Sequence, residues 1–260
     1  MAQLYQLYAL NRTASRRFDV VTNAVNADEA TMYLYDMIVS TDDEAEWWGG
    51  ISPMNFIKEL ANITASTIHL RINSPGGDVF AARCIEQAIV ESGKTVIAHI
   101  DGLCASAATY IALACGKVLM GEGSMFMIHN AWTMAWGDKN DLTKTATLLN
   151  KIDSTLANSY AKKTGASTPD IAALMDAETW FTAQEALDFG FVDEVSTTET
   201  VQNTAQQAKN WQLNVYKNAP KTLSLPKTPP NPTQNTPKPT AKTVVFDKQR
   251  ALNRLSLVSI

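Results

Sequence analysis

Three short stretches of this 260-residue sequence carry the residue types that acyl transfer requires. Such a reaction needs a nucleophile, a base to take its proton, an acid to orient the base, and amide donors aimed at the developing oxyanion. Asn73-Ser74-Pro75-Gly76-Gly77-Asp78 follows a strand-like run. Its two glycines let backbone N–H groups turn toward a carbonyl or hold a passing peptide, although a plain tight turn would use the same residues. Ser106 lies in Gly102-Leu103-Cys104-Ala105-Ser106-Ala107-Ala108, among small neighbours at the expected start of a helix whose dipole would favour an alkoxide. A lone serine in that place reads first as an N-cap; its position after the double-glycine unit raises the catalytic alternative. Of the three histidines, His69 and His99 fall within strand-like runs and read as packing or hydrogen-bonded residues. His129 instead ends the apolar run 125–128 and opens into Asn130-Ala131-Trp132, a strand end suited to a general base.

The elements that must position these residues are legible as strand, turn and helix in series. Residues 31–39 are rich in β-branched and aromatic side chains and predict a buried strand. Ser52-Pro53 predicts an N-cap and first-turn proline for a helix to about Ala61. A strand over 67–72 leads through the double glycine to a helix over 79–92 closed by Gly93. The pattern repeats with a strand over 95–100, a turn at Asp101-Gly102, and a helix from Ser106 to Cys115 closed by Gly116. Such repetition implies crossover connections and a mainly parallel sheet in an α/β fold. Strands over 117–120 and 124–128 follow. Residues 139–164 then predict a long amphipathic helix with Leu142, Leu149, Ile152, Leu156 and Tyr160 on one stripe. Thr168-Pro169 caps a short helix to Met175, Thr182 to Glu185 forms a capping box for a helix ended by Gly190, and 191–195 predicts the last strand.

Composition sets the boundaries. Seven of ten prolines crowd into 220–239, which excludes that stretch from a core. Residues 201–260 carry nine Lys/Arg and one acid, leaving 13 basic and 25 acidic groups in the first 200, about −12 against +8. An acidic body argues against nucleic acid as the main partner. The expected division is an N-terminal arm or strand (1–29), a catalytic domain (30–196), a flexible, proline-rich basic linker (197–243), and a C-terminal segment (244–260) that could form a short helix. Cys84, Cys104 and Cys115 lack metal-ligand spacing and cannot all pair, which fits a reducing compartment. With no apolar leader and no membrane-length apolar run, a cytoplasmic, non-membrane protein is expected, or one in the host cytoplasm if phage-encoded. No metal, nucleotide or redox cofactor is expected, since the glycine-rich segment lacks the Lys-Ser/Thr of a phosphate loop.

Taken together, INSPGGD (72–78), GLCASAA (102–108), MIHNAW (127–132) and ETWFTAQEALDFGFVDE (178–194) resemble the Clp protease proteolytic-subunit family in order and spacing, over about residues 30–196. Trp47-Trp48-Gly49, Gly76 to Phe80 and Glu178-Thr179-Trp180 resemble most the bacteriophage branch, the Clp-like head-maturation (prohead) proteases. The resemblance implies a Clp/crotonase-like spiral of ββα units with a projecting handle helix over 139–164, and homo-oligomeric rings stacked through such handles. It implies a serine endopeptidase with Ser106 as nucleophile, His129 as base, and an oxyanion hole at Gly76, Gly77 and Ala107. Where the family carries an aspartate ahead of its Thr/Ser-Ala pair, this chain has Glu178, with Asp176 as the alternative acid. The phage branch implies scaffold or capsid precursors as substrates. The housekeeping branch implies an ATP-driven unfoldase as partner. Three further readings compete: an acyl-CoA enzyme of the crotonase type, a Ser/Lys signal-peptide-peptidase-like enzyme, and an inactive scaffolding module.

Overall fold

A computed structural model of the chain describes residues 3–14, 16–196 and 211–220. Its elements, in chain order, are α1 (Gln3–Asn11), β1 (Arg17–Thr22), β2 (Glu29–Tyr35), α2 (Asp42–Trp48), α3 (Pro53–Asn62), β3 (Thr67–Ser74), α4 (Val79–Glu91) and β4 (Thr95–Ala105). They continue with α5 (Ala108–Leu113), β5 (Lys117–Gly121), β6 (Met125–Ile128), α6 (Lys139–Thr164), α7 (Thr168–Asp176), β7 (Thr179–Thr182), α8 (Ala183–Phe189) and β8 (Glu194–Ser196). The fold is α/β, with a mixed and mostly parallel sheet in the order β1-β2-β3-β4-β5-β8. Only β1–β2 and β6–β7 pair antiparallel among the described strands.

The central strands alternate as a half-covered sheet should. In β3, Ile68, Leu70 and Ile72 enter the core while His69 and Arg71 face the other side, and β4 repeats this with Val96, Ala98 and Ile100 against His99. The two strands are in parallel register, His69 beside Ile97 and Arg71 beside His99. His69 and His99 meet there through Nδ1 and Nε2 at 2.9 Å, a hydrogen-bonded pair as their strand positions predict. Burial and the neighbouring Arg71 push the His99 imidazole down to about 4, so that ring is neutral at ordinary pH.

Several boundaries differ from those predicted. Asp101-Gly102 is no turn: β4 runs through it to Ala105, because the buried Asp101 carboxylate is paired by Arg71 and accepts from the Tyr35 hydroxyl at 2.5 Å. With its charge compensated, this residue lies within a strand rather than in solvent. The helix after it therefore starts later, at Ala108, and is only six residues long. Ser167, not Thr168, caps α7, and the last strand covers 194–196. The region 1–29, expected as an arm or strand, holds both α1 and β1. Leu7, Tyr8 and Asn11 of α1 are buried, against a cluster that includes Met37 and Val39. The helix α2 was not predicted, although Thr41 caps it by accepting from Glu44 N–H and three acids fill its first turn.

The helix α6 spans its predicted range, but its stripe sinks into the core only from Ile152 onward; Leu156 and Tyr160 are buried whereas Leu142 and Leu148 are exposed. Part of the region expected as free linker is also packed. Residues 211–220 lie on the domain, and Trp211, Leu213, Val215 and Tyr216 are all buried. The rest of the expected linker, 197–210 and 221–243, and the C-terminal segment 244–260 lie outside the described residues. No helix among the described residues is long and apolar enough to cross a membrane.

Candidate active site

Strand register assembles the site. The long strand β4 pairs with β5 through Ile97–Ile100 and, further on, with β6 through Leu103–Ala105. Because the β4–β6 pair is parallel, with Ala105 opposite Met127, the residues leaving the two strands emerge at the same end. Ser106 and His129 are those residues. Ser106 N–H donates to Met127 C=O at 2.9 Å, and Ser106 Oγ lies 2.7 Å from His129 Nε2. Antiparallel β7 places Thr179 opposite Ile128, so Glu178 also arrives at this end. Ser74 pairs with Cys104, which brings Pro75-Gly76-Gly77 beside Ser106. Carboxyl ends of parallel strands are the usual place for such a site.

The backbone is strained where the chemistry is expected. Among described non-glycine residues only Ser106 (φ 53°) and Glu178 (φ 48°) adopt the left-handed region. For Ser106 this makes a sharp strand-to-helix turn that lifts the hydroxyl out of the sheet, the geometry of a nucleophile elbow. The glycines answer to close approach. A Cβ on Gly76 would lie 2.6 Å from Ala105 O, 2.8 Å from Ser106 Cβ and 3.0 Å from Ala107 N; one on Gly77 would lie 1.9 Å from Ile38 O. Gly76 C=O accepts from Ile38 N–H at 3.0 Å, which fixes this loop against the segment after β2. Asp78 then caps α4 through Ala81 N–H.

His129 is enclosed by aromatic edges. Its ring meets Trp132 at 5.1 Å and Tyr216 at 5.4 Å, both nearly perpendicular. Burial alone pushes the imidazole down to about 4, with no carboxylate opposing it, so Nε2 can serve as proton acceptor from Ser106 at neutral pH. Flanking residues are tied in place: Asn130 Nδ2 donates to Asp176 Oδ1 at 2.5 Å and Ala131 N–H to Asp153 at 2.7 Å. Asp176 is thus an exposed anchor for Asn130. Glu178 is buried, and its carboxylate accepts from Lys217 N–H (3.0 Å), Asn218 N–H (2.7 Å) and Trp180 Nε1–H (3.3 Å). The structure therefore brings Ser106, His129 and the glycine turn together, while neither candidate acid makes a hydrogen bond to the His129 ring among the described contacts.

Comparison with known proteins places this chain in one family. The family pattern described as Clp protease matches residues 49–199, more than half of the chain. The chain belongs to the Clp protease family. It is accordingly a serine-type endopeptidase. It is 32% identical over 142 residues to the ATP-dependent Clp protease proteolytic subunit 2 of Bifidobacterium longum, covering 54% of this chain and 69% of that one. It is 32% identical over 139 residues to the ATP-dependent Clp protease proteolytic subunit of Streptococcus pneumoniae, covering 52% and 71%. A solved ClpP1 mutant from Listeria monocytogenes superposes with a TM-score of 0.55 at 25% identity, over 66% of this chain and 93% of that one. The Bifidobacterium and Streptococcus relatives are ATP-dependent proteolytic subunits by name, and none of the three is named as a head-maturation protease.

One set of residues at this site was not predicted. Tyr216 and its neighbours reach it from the tail: the Tyr216 hydroxyl donates to Pro75 C=O at 2.6 Å and its ring stacks on Trp132 at 5.3 Å and 2°. The signal was present as alternation, since Trp211, Leu213 and Val215 form a period-two apolar run within a polar, proline-rich tail.

Proposed function

We propose that this Clp-family chain cleaves peptide bonds with Ser106 as nucleophile and His129 as general base. The 2.7 Å contact between Ser106 Oγ and His129 Nε2 carries the reading. His129 takes the hydroxyl proton as Oγ attacks the carbonyl, then returns it to the leaving amine. The oxyanion falls to the N–H groups of Gly77 and Ala107, with Gly76 keeping the space before them free of a side chain. Ser106 N–H is already spent on Met127, and the Gly76 backbone lies against Ala107 N. Glu178 is the acid. It is buried at the same strand end as His129, whereas Asp176 is exposed and holds Asn130. The test is hydrolysis of a short fluorogenic peptide: activity lost in both Ser106→Ala and His129→Ala supports this assignment, and activity retained in either contradicts it.

The names of the relatives favour a proteolytic subunit that works beside an ATP-driven unfoldase over one that processes scaffold or capsid precursors. The head-maturation reading rests on Trp47-Trp48-Gly49, Gly76 to Phe80 and Glu178-Thr179-Trp180 alone. Degradation of a folded protein only when a Clp-type unfoldase and ATP are added supports the first reading. Site-specific trimming of a scaffold or capsid precursor without ATP supports the second. The projecting handle is α6, and Leu142, Leu148 and the adjacent Trp136, all exposed, provide apolar surface for a second copy in ring assembly of the crotonase-like spiral. Sedimentation of the whole chain as a monomer contradicts that assembly.

A further inference from the structure

We infer that residues 211–219 occupy the substrate cleft as a built-in pseudosubstrate, with Tyr216 filling an aromatic subsite made by Trp132 and Trp180 beside Ser106. The inference rests on Ser106 and His129 being nucleophile and base. Three contacts place the strap in the cleft. The phenol of Tyr216 hydrogen-bonds Pro75 C=O, in the loop that carries Gly76 and Gly77. Its ring is stacked on Trp132, edge-on to Trp180 at 5.9 Å and to His129 at 5.4 Å. The next two amides, of Lys217 and Asn218, close on the Glu178 carboxylate, and Asn218 Nδ2 donates to Ala177 C=O at 2.9 Å.

One segment thus encloses the base and engages the acid beside the nucleophile. It sets a phenol side chain, which has no carbonyl to attack, against the His129 ring and the Pro75 loop, so the strap inhibits without being cleaved from that pose. Its other end is anchored away from the chemistry. Asn11 of α1 makes two hydrogen bonds with the backbone of Gln212, through Oδ1 to N–H at 2.9 Å and through Nδ2 to C=O at 3.1 Å, and Trp211 Nε1 donates to Asn73 Oδ1. Asn73 Nδ2 is buried without a partner among the described residues, a donor of the cleft floor that the strap leaves unspent. An extended peptide carrying an aromatic side chain meets the same surfaces: the tryptophan pair for the ring and the Pro75 and Asn73 groups for polar contacts. The substrate class is therefore a peptide with Tyr or Phe at that subsite, and it binds only once the strap has left.

The full chain is compared with Tyr216→Ala and with Asn11→Ala, which loosens the distant anchor, by the rate at which a fluorophosphonate labels Ser106. Both variants should label about tenfold faster or more, as expected when a closed state dominates the resting population. A synthetic nonapeptide of sequence WQLNVYKNA should slow Tyr216→Ala again, and the same peptide with alanine for tyrosine should not. Labelling of Ser106 at the wild-type rate in both variants overturns the strap while leaving the nucleophile assignment standing. No labelling of Ser106 in the wild type or either folded variant overturns both.

Discussion

The two sides of the active site are held by different means. Ser106 and His129 are fixed by backbone register: each is the first residue beyond a strand, and the parallel pairing of Ala105 with Met127 leaves little freedom in where they emerge. Glu178 reaches the same end through the antiparallel β7, but its carboxylate is directed by side-chain rotation and is taken by two amides of the strap. The proposed nucleophile and base are thus preorganised by the sheet, while the proposed acid is left to whichever partner offers the better hydrogen bonds. A site built in this way can be complete in its scaffold and closed in its resting chemistry, with the difference residing in the nine residues 211–219, outside the stretch that matches the family.

The largest expected effect lies at the register-fixed pair. In the Tyr216→Ala background, Ser106→Ala or His129→Ala should lower peptide hydrolysis by up to about a million-fold, and the double variant should be no worse than either single one, as for groups that act as a unit. Additive losses would mean that the two do not act together. On the other side, Glu178→Gln in the same background should cost up to about ten-thousand-fold in kcat by leaving the wrong imidazole tautomer favoured, while Asp176→Asn should change little. The reverse ranking would move the acid to Asp176. Gly76→Ala should cost about a hundred-fold or more in rate, the scale of a lost oxyanion donor, with the protein still folded by circular dichroism. Its new Cβ would stand within 3.0 Å of both Ser106 Cβ and Ala107 N.

The smallest expected effect is a titration. His129 is held at about 4, below the ordinary histidine value of 6.5, by burial. Neutral imidazole is the base, so labelling of the wild type should rise with pH through about 4 and be level above pH 6. Since the folded value lies below the unfolded one, this histidine supports stability fully above pH 6.5 and withdraws that support as pH falls toward 4. In Tyr216→Ala, water reaches the ring and Glu178 is released, and the midpoint should move upward. A midpoint still near 4 would mean that something other than the strap buries the ring.

Legibility in the sequence followed the same division. The parallel α/β arrangement, the capped helices α3, α4 and α8, and the residues Gly76, Gly77, Ser106 and His129 are local in their signals, written in caps, turns and strand ends. What escaped was decided by distant partners. Asp101-Gly102 reads as a turn until Arg71 and Tyr35, thirty and sixty-six residues away, compensate the carboxylate within β4. The amphipathicity of α1 is too weak to announce a helix, and it gains its burial from Met37, Val39 and the strap. Tyr216 lies in a tail whose proline and charge content outweighed the alternation of Trp211, Leu213 and Val215.

The most direct test of the register-built dyad is to treat the full-length Tyr216→Ala chain with a fluorophosphonate and locate the adduct by peptide mass, with and without His129→Ala. The account predicts one adduct, on Ser106, that disappears when His129 is replaced. An adduct on another residue, or labelling of Ser106 at an unchanged rate without His129, would contradict it.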